Sequence, residues 1–327
     1  MSVNRLRNSA RGRATGRRWF AIALALFLIA DVALVVWAVT DRGAGDDVTP
    51  LAATKTPIET PHETAHTEPM PSQTPTPSAT PTTQPDATPP TRVITAVSSD
   101  VAWRAQVATC PDGRVSIERS EDSGQTWQAS EVAGDMDARS VLRIIATSEN
   151  EAYAVTLEGE DCHASVVGTY VAGAEWAAYP DRLSGYWYVD PADRATVVTS
   201  SGPVDGPCDK VIAIAPRDAN DGAVLCANHS IFLTSDAGGS WSDEQMIEGA
   251  VDLTPASAGY YVAATGQGRC EGTSLIEIAE GTSTSPRGCV GEKAAAGDVA
   301  ISALDNTVWI WSGDLVQRST DGGESWS

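Results

Sequence analysis

The pattern Ser/Thr-x-Asp-x-Gly-x-x-Trp occurs three times in the chain, as SEDSGQTW (120–127), TSDAGGSW (234–241) and STDGGESW (319–326). Each copy carries the chemistry of a tight hairpin. A carboxylate (Asp122, Asp236, Asp321) accepts backbone N–H groups of the turn, a glycine (Gly124, Gly238, Gly323) supplies positive φ, and a tryptophan (Trp127, Trp241, Trp326) packs on a neighbouring sheet. A turn written repeatedly implies one supersecondary unit written repeatedly, with the units stacked to bury their faces. The three indoles are 114 and 85 residues apart, so one concealed unit lies in each interval. TYVAGAEW shows one of them: it keeps Thr169, Gly173 and Trp176 but has Val171 in place of the aspartate. The other, ending IEIAEGTSTS near Ser285, has lost the pattern.

Residues 93–327 contain short alternating runs and polar turns with no long amphipathic helix, which reads as all-β. VITAV, LRIIAT, KVIAIAP, AVDLTP and DVAISAL read as first strands of five units, and RVSIERS, SVVGTYV, SIFLTS, SLIEIAE and LVQRST as third strands. Five units over 235 residues give 47 residues each, the period of four-stranded blades set radially about an axis. The expectation is therefore a five-bladed β-propeller, with six blades as the alternative. The chain stops directly after its last box, so the final blade either borrows an outer strand from a segment near Pro89 to Ile94 or keeps a bare edge.

With these boxes the chain resembles the Asp-box β-propellers: bacterial sialidases, sortilin-type receptors and, closest in form, the photosystem II assembly-factor family and its relatives. The resemblance implies the propeller fold and a structural role for the box residues. It implies little about ligand, because the shared feature is the clasp. A sialidase-like glycoside hydrolase is the alternative function it raises, but the arginine cluster, tyrosine–glutamate pair and acid of that chemistry cannot be matched position by position.

In a four-stranded meander the boxes mark one face, and the blade-to-blade connections mark the other. All six cysteines fall towards that other face, and an even count outside the cytoplasm points to three disulfides. Cys208 with Cys226 and Cys270 with Cys289 are favoured, leaving Cys110 with Cys162, while Cys162 with Cys208 stays open. The same face carries the longest insertion, 177–207, where Tyr186, Trp187 and Tyr188 are the candidate recognition surface. DANDG (218–222) reads as a plain turn, GQGRCEG (266–272) as a loop, and no residue is assigned to catalysis, metal or cofactor.

The propeller has an anchor in front of it. Residues 1–18 hold six arginines and no acid, and the apolar stretch 19–39 spans roughly 31 Å as a helix, enough for a hydrocarbon core. This reads as a signal-anchor helix with a cytoplasmic basic tail, a cleaved export signal being the rival. Residues 40–92 form a Pro/Thr-rich spacer with no capacity for a core. HETAH (62–66) within it lacks the helical context of a zinc peptidase. Beyond the spacer, eleven arginines and two lysines face 35 acids, a balance that disfavours nucleic acid and anionic surfaces. The expectation is a single-pass bacterial membrane protein whose extracellular propeller binds or scaffolds a protein or a neutral glycan.

Overall fold

The computed structural model describes residues 85–132, 136–279, 284–291 and 293–327. The basic tail, the expected span at 19–39, HETAH and the spacer up to residue 84 lie outside the described residues. Among the described residues, no helix is long and apolar enough to cross a membrane.

The described strands form six antiparallel sheets, so the expectation of five blades is corrected to six. Blade 1 is the meander β1 (Arg92–Ala96), β2 (Ala102–Gln106), β3 (Ser116–Ser120) and β4 (Gln128–Glu131). Blade 2 holds β5 (Ala138–Ala146), β6 (Ala152–Glu158), β7 (His163–Thr169) and β8 (Ala177–Ala178). Blade 3 has three strands, β9 (Tyr188–Val189), β10 (Thr196–Thr199) and β11 (Gly202–Asp205). Blade 4 runs β12 (Val211–Pro216), β13 (Gly222–Cys226), β14 (Ser230–Thr234) and β15 (Gln245–Met246). Blade 5 runs β16 (Ala250–Ala256), β17 (Gly259–Thr265), β18 (Thr273–Ala279) and β19 (Thr284–Val290). Blade 6 holds β20 (Val299–Leu304), β21 (Thr307–Ser312) and β22 (Leu315–Ser319).

Neighbouring inner strands touch in the order β1, β5, β9, β12, β16, β20 and back to β1, which closes a ring. The second strands sit between two sheets, and their sequences show it. AYAVTLE in β6 and GAVLC in β13 are buried along nearly their whole length, because both faces meet another blade. The first strand, with one edge towards the axis, alternates instead: RVITA in β1 is buried at every other residue.

Blade 3 is the region that the sequence presented as an insertion, and it is built differently. Val211 N donates to Arg194 O (2.9 Å), which sets the β9–β10 turn beside the start of β12, and Ser200 Oγ donates to Ala219 O (2.5 Å), which sets the β10–β11 turn beside the end of β12. Strand β10 therefore runs in the same sense as β12, and β9 runs against it. In every other blade the innermost strand has the sense of β12, so blade 3 lacks its first strand and β9 is its second. A 3₁₀ turn, Pro180–Gly185, stands in the connection where that strand would be.

Of the two ring closures expected, the borrowed outer strand is not the one found. β1 is the innermost strand of blade 1 and does not complete blade 6. The two blades meet side by side, through Ala96 N donating to Ser302 Oγ (2.9 Å), Thr91 N to Gly297 O (2.8 Å) and an Arg92–Asp298 ion pair (3.0 Å). At the outer position of blade 6, Ser327 exchanges backbone bonds with Arg318.

Candidate functional site

The three boxes have the geometry that their residues require. Asp122 accepts from Thr126 N (2.8 Å), Thr126 Oγ1 (2.6 Å) and Ser120 Oγ (2.9 Å), while Gly124 N donates back to Ser120 Oγ (2.9 Å). Asp236 repeats this with Ser240 and Thr234, and Asp321 with Ser325 and Ser319. These donors, led by the Thr126, Ser240 and Ser325 hydroxyls, hold all three carboxyls below the ordinary aspartate range. Gly124 (φ 86°), Gly238 (82°) and Gly323 (94°) are left-handed. A Cβ on Gly323 would also lie 2.3 Å from Leu275 Cδ2.

Each box rests on the preceding blade. Gly124 faces Trp309 of blade 6, Gly173 faces Trp103 of blade 1 and Gly238 faces Val204 of blade 3. The box indoles follow them, Trp127 edge-on to Trp309 (centroids 6.4 Å apart) and Trp176 edge-on to Trp103 (6.1 Å). Trp241 packs with Trp187, and its Nε1 donates to Asp205 O (3.2 Å).

The sequences of blades 3 and 5 have no box, and the two junctions concerned are resolved in opposite ways. Between blades 2 and 3, Tyr153 gathers Tyr170, Tyr179 and Tyr186 within about 6 Å (6.0, 5.9 and 6.0 Å) and carries the Arg182 guanidinium over its ring at 4.5 Å. Tyr153 OH donates to Glu151 (2.8 Å) and contacts Tyr170 OH; burial pushes its phenol well above the usual range. Between blades 4 and 5 a cleft of about 430 Å³ opens, lined by Arg217, Asp221, Trp241, Ser242 and Tyr260 among others. Arg217 lies 5.0 Å over the Tyr260 ring and donates to Gly259 O (2.5 Å).

Of the expected recognition surface at 186–188, Trp187 lies in the interior. Trp187 is 1% exposed and fills the space between blade 3 and the box of blade 4, beside Val197, Val224 and Ala237. Tyr186 and Tyr188 are half-buried against the tyrosine cluster. A tryptophan in a supposed loop was the core of an unrecognised blade. The cysteines pair as Cys110–Cys162, Cys208–Cys226 and Cys270–Cys289, on the face opposite the boxes. Asp218 accepts from Asn220 N (2.7 Å) and Asp221 N (2.8 Å), which makes DANDG a turn closed on its own backbone. Among the described residues, no three His, Cys, Asp or Glu side chains converge as a metal site.

Sequence reasoning missed the axial cavity. It encloses about 450 Å³ and is lined by inner strands from around the ring, including Thr95, Ile145, Val189, Ile214 and Ile301. Arg143, half-buried, borders it from β5; desolvation brings its guanidinium down to about 10, with the Tyr186 phenol acting the other way, and it donates to Trp187 O (3.4 Å). Arg194 borders it from the β9–β10 turn, is also shifted down by burial, and donates to Val211 O (3.2 Å). Asp252 lies on blade 5, across the ring from blade 2. Burial pushes it up to about 7, although Ile301 N and Leu253 N (both 2.9 Å) draw it back. The sequence signal was faint: a single arginine inside LRIIAT, on a strand otherwise apolar.

No protein-family model matches the chain, and no curated protein matches its sequence. Solved structures similar in fold include YCF48 bound to D1 peptide, 17% identical over 76% of this chain and 74% of that one, with a TM-score of 0.26. The SapL1 lectin in complex with alpha methyl fucoside is 12% identical over 74% and 96% of the two chains, with a TM-score of 0.44. The GH74 xyloglucanase from Xanthomonas campestris is 14% identical over 72% of this chain and 37% of its own, with a TM-score of 0.29. What those proteins bind or hydrolyse remains theirs; the likeness is one of architecture.

Proposed function

We propose that this chain is a binding or scaffolding module, held at the outer surface of a bacterial membrane by residues 19–39, that recognises a protein or neutral glycan through the cleft between blades 4 and 5. The observation that carries this reading is that cleft. It brings Trp241, whose indole packs towards blade 3, and the Tyr260 ring beside the polar groups of Arg217, Asp221 and Ser242. Aromatic faces with a few fixed polar groups suit a sugar ring or a peptide side chain equally. Membrane location rests on the sequence of residues 1–39. Against a glycoside hydrolase stands the chemistry of the axial cavity. Such hydrolysis usually uses two carboxylates flanking the bond, and among the described residues lining that cavity the carboxylate is Asp252.

Ser235 is exposed at the cleft and occupies the unconstrained second position of the box, so Ser235→Trp plugs the cleft without touching the clasp. Crosslinking capture and glycan-array binding are run with the full-length chain and with this variant. The expected result is a partner or glycan retained by the parent chain and lost on plugging. An unchanged set of partners removes the cleft from the reading, and turnover of a fluorogenic glycoside panel replaces binding with hydrolysis.

A further inference from the structure

The end of the Pro/Thr-rich spacer, residues 85–91, is built into the propeller. Ala87 N donates to Ala227 O (2.7 Å) on the β13–β14 turn of blade 4, and the Ala87 methyl is buried in the cluster of Ile212, Ile231 and Ala250. Pro85 O lies 3.1 Å from His229 Nε2, and the other ring nitrogen of His229 lies 3.0 Å from Ala250 O. At the far end, Thr91 N donates to Gly297 O (2.8 Å), Thr91 Oγ1 to Asp298 (2.7 Å), and Val107 N to Thr91 O (2.8 Å). Between the two ends, Pro89 and Pro90 line the axial cavity. We propose that residues 85–91 are a hinged strap over one mouth of the axial cavity, latched on blade 4, and that releasing the latch opens the cavity to small uncharged molecules.

The anchors show where the strap lies. Its ends stand on blades 1 and 4, which face each other across the ring of six. On the way it passes the entry to blade 6, where a Cβ on Gly297 would lie 2.9 Å from Pro89 O. Thr91 and Gly297 precede inner strands, and Ala227 sits in a turn between second and third strands, so every anchor is on the face opposite the boxes. The strap therefore crosses the mouth on that face, on the side of blades 5 and 6. Behind it, the wall is built from aliphatic side chains of every blade, among them Ile94, Ile144, Val189, Ile212, Leu253 and Ile301. Such a wall suits an uncharged molecule.

The two ends are held unequally, which decides how the strap moves. Thr91 is fixed by both backbone groups and by its hydroxyl, and it runs straight into β1, paired with β2 from Arg92 to Ala96. That end is the hinge. The blade 4 end has one backbone bond, one carbonyl beside an imidazole and one buried methyl, while Pro85, Asp86 and Thr88 are exposed. Adjacent prolines at 89 and 90 bring no N–H to bond to the rim and have fixed φ, so the middle of the strap swings as one stiff piece. The chain before residue 85 continues from the latch end. A pull on that chain, or a partner bound to it, acts on the latch first. The strap is independent of the cleft between blades 4 and 5, and its failure leaves the cleft reading intact.

The test is thiol accessibility in the full-length chain in detergent, with N-ethylmaleimide as the uncharged probe and mass spectrometry as the readout. All six native cysteines are in disulfides, so an introduced cysteine is the single free thiol. Ile212→Cys places it on the cavity wall, at a position 3% exposed and in the cluster that seats Ala87. Ile231→Cys, in the same cluster but on the third strand of blade 4, reports general loosening. Adding Ala87→Asp sets a carboxylate in the apolar seat and is expected to speed labelling at 212 at least about tenfold, with less than about a twofold change at 231. His229→Asn, which suits the φ of 70° at this position but is too short to reach Pro85, is a second release and should speed labelling at 212 about threefold or more. Melting temperatures verify folding, and His229→Asn serves if Ala87→Asp fails to fold. Labelling at 212 that stays within about twofold of the parent in the folded variants, or an equal acceleration at 231, overturns the proposal.

Discussion

The junction between blades 6 and 1 and the junction between blades 4 and 5 are made from the same kinds of strand, yet one is closed and the other is a cleft. At the first, the Asp122 clasp holds Gly124 against Trp309, and Trp127 stacks edge-on beside it. At the second, blade 5 brings no such sequence, and Tyr260 and Trp241 border open space. The junction between blades 2 and 3 adds a third solution, in which four tyrosines and Arg182 fill the place of the clasp. The lesson is that the box is an interblade wedge as well as a hairpin turn. Its absence frees a site unless other side chains are recruited to fill it.

If that reading is right, removing the aromatic that receives a box should cost most. Trp309 is fully buried and serves the junction that closes the ring. Trp309→Ala is expected to cost about 3 to 5 kcal/mol, lowering Tm by on the order of 10 °C for a domain of this size. Leu315→Ala, at a half-exposed position on the neighbouring strand, is the control. Equal melting curves for the two variants would break the comparison, because the receiving indole would then be no more than surface.

The box acids should reveal themselves next, through pH. Their folded pKa values lie below the ordinary 3.8, so their contribution is complete above that value and is lost as pH falls through it. Thermal melts of the parent chain are expected to be steady, as far as these groups are concerned, from pH 7 to about 5 and to drop below about pH 4. A triple variant with Asn at 122, 236 and 321 should melt lower at neutral pH and lose much of that acid-side drop. An undiminished drop would assign acid sensitivity to other carboxylates.

These regions also divide what the sequence could reveal from what it could not. Asp122, Asp236 and Asp321 were legible because a turn is local: acceptor, donors and glycine lie within seven residues. Cysteine pairing was nearly as legible, since Cys208–Cys226 and Cys270–Cys289 each close a short stretch of one blade or its entry. Blade 3 was hidden because it lacks both a box and a first strand, leaving no period to count, and the missing unit was spread over the other five as a longer repeat. Trp187 then looked like a loop residue, although its neighbours Val197, Val224 and Ala237 come from three later strands and turns. The axial cavity was hidden because its lining comes a few residues at a time from inner strands all round the ring, which leaves no local sequence signature.

The smallest effect is the most discriminating, because it asks whether a clasp can be rebuilt. Blade 2 keeps half of one: Thr169 Oγ1 accepts from Val171 N (3.3 Å) and Gly173 N (3.0 Å), Gly173 has a φ of 86°, and Trp176 is in place. It lacks the acceptor at 171, a half-exposed valine, and it has Glu175 where the other boxes have Thr126, Ser240 and Ser325. Val171→Asp alone sets a new carboxylate near that of Glu175, so backbone bonding is offset by repulsion and little stability is gained. Val171→Asp with Glu175→Ser supplies both the acceptor and the hydroxyl donor, and should gain about 1 kcal/mol. A double-mutant cycle on Tm and denaturant midpoint is expected to show a favourable coupling of roughly half a kcal/mol or more. Simple additivity would mean that the hydroxyl–carboxylate bond is incidental, and that the glycine and the indole alone make the wedge.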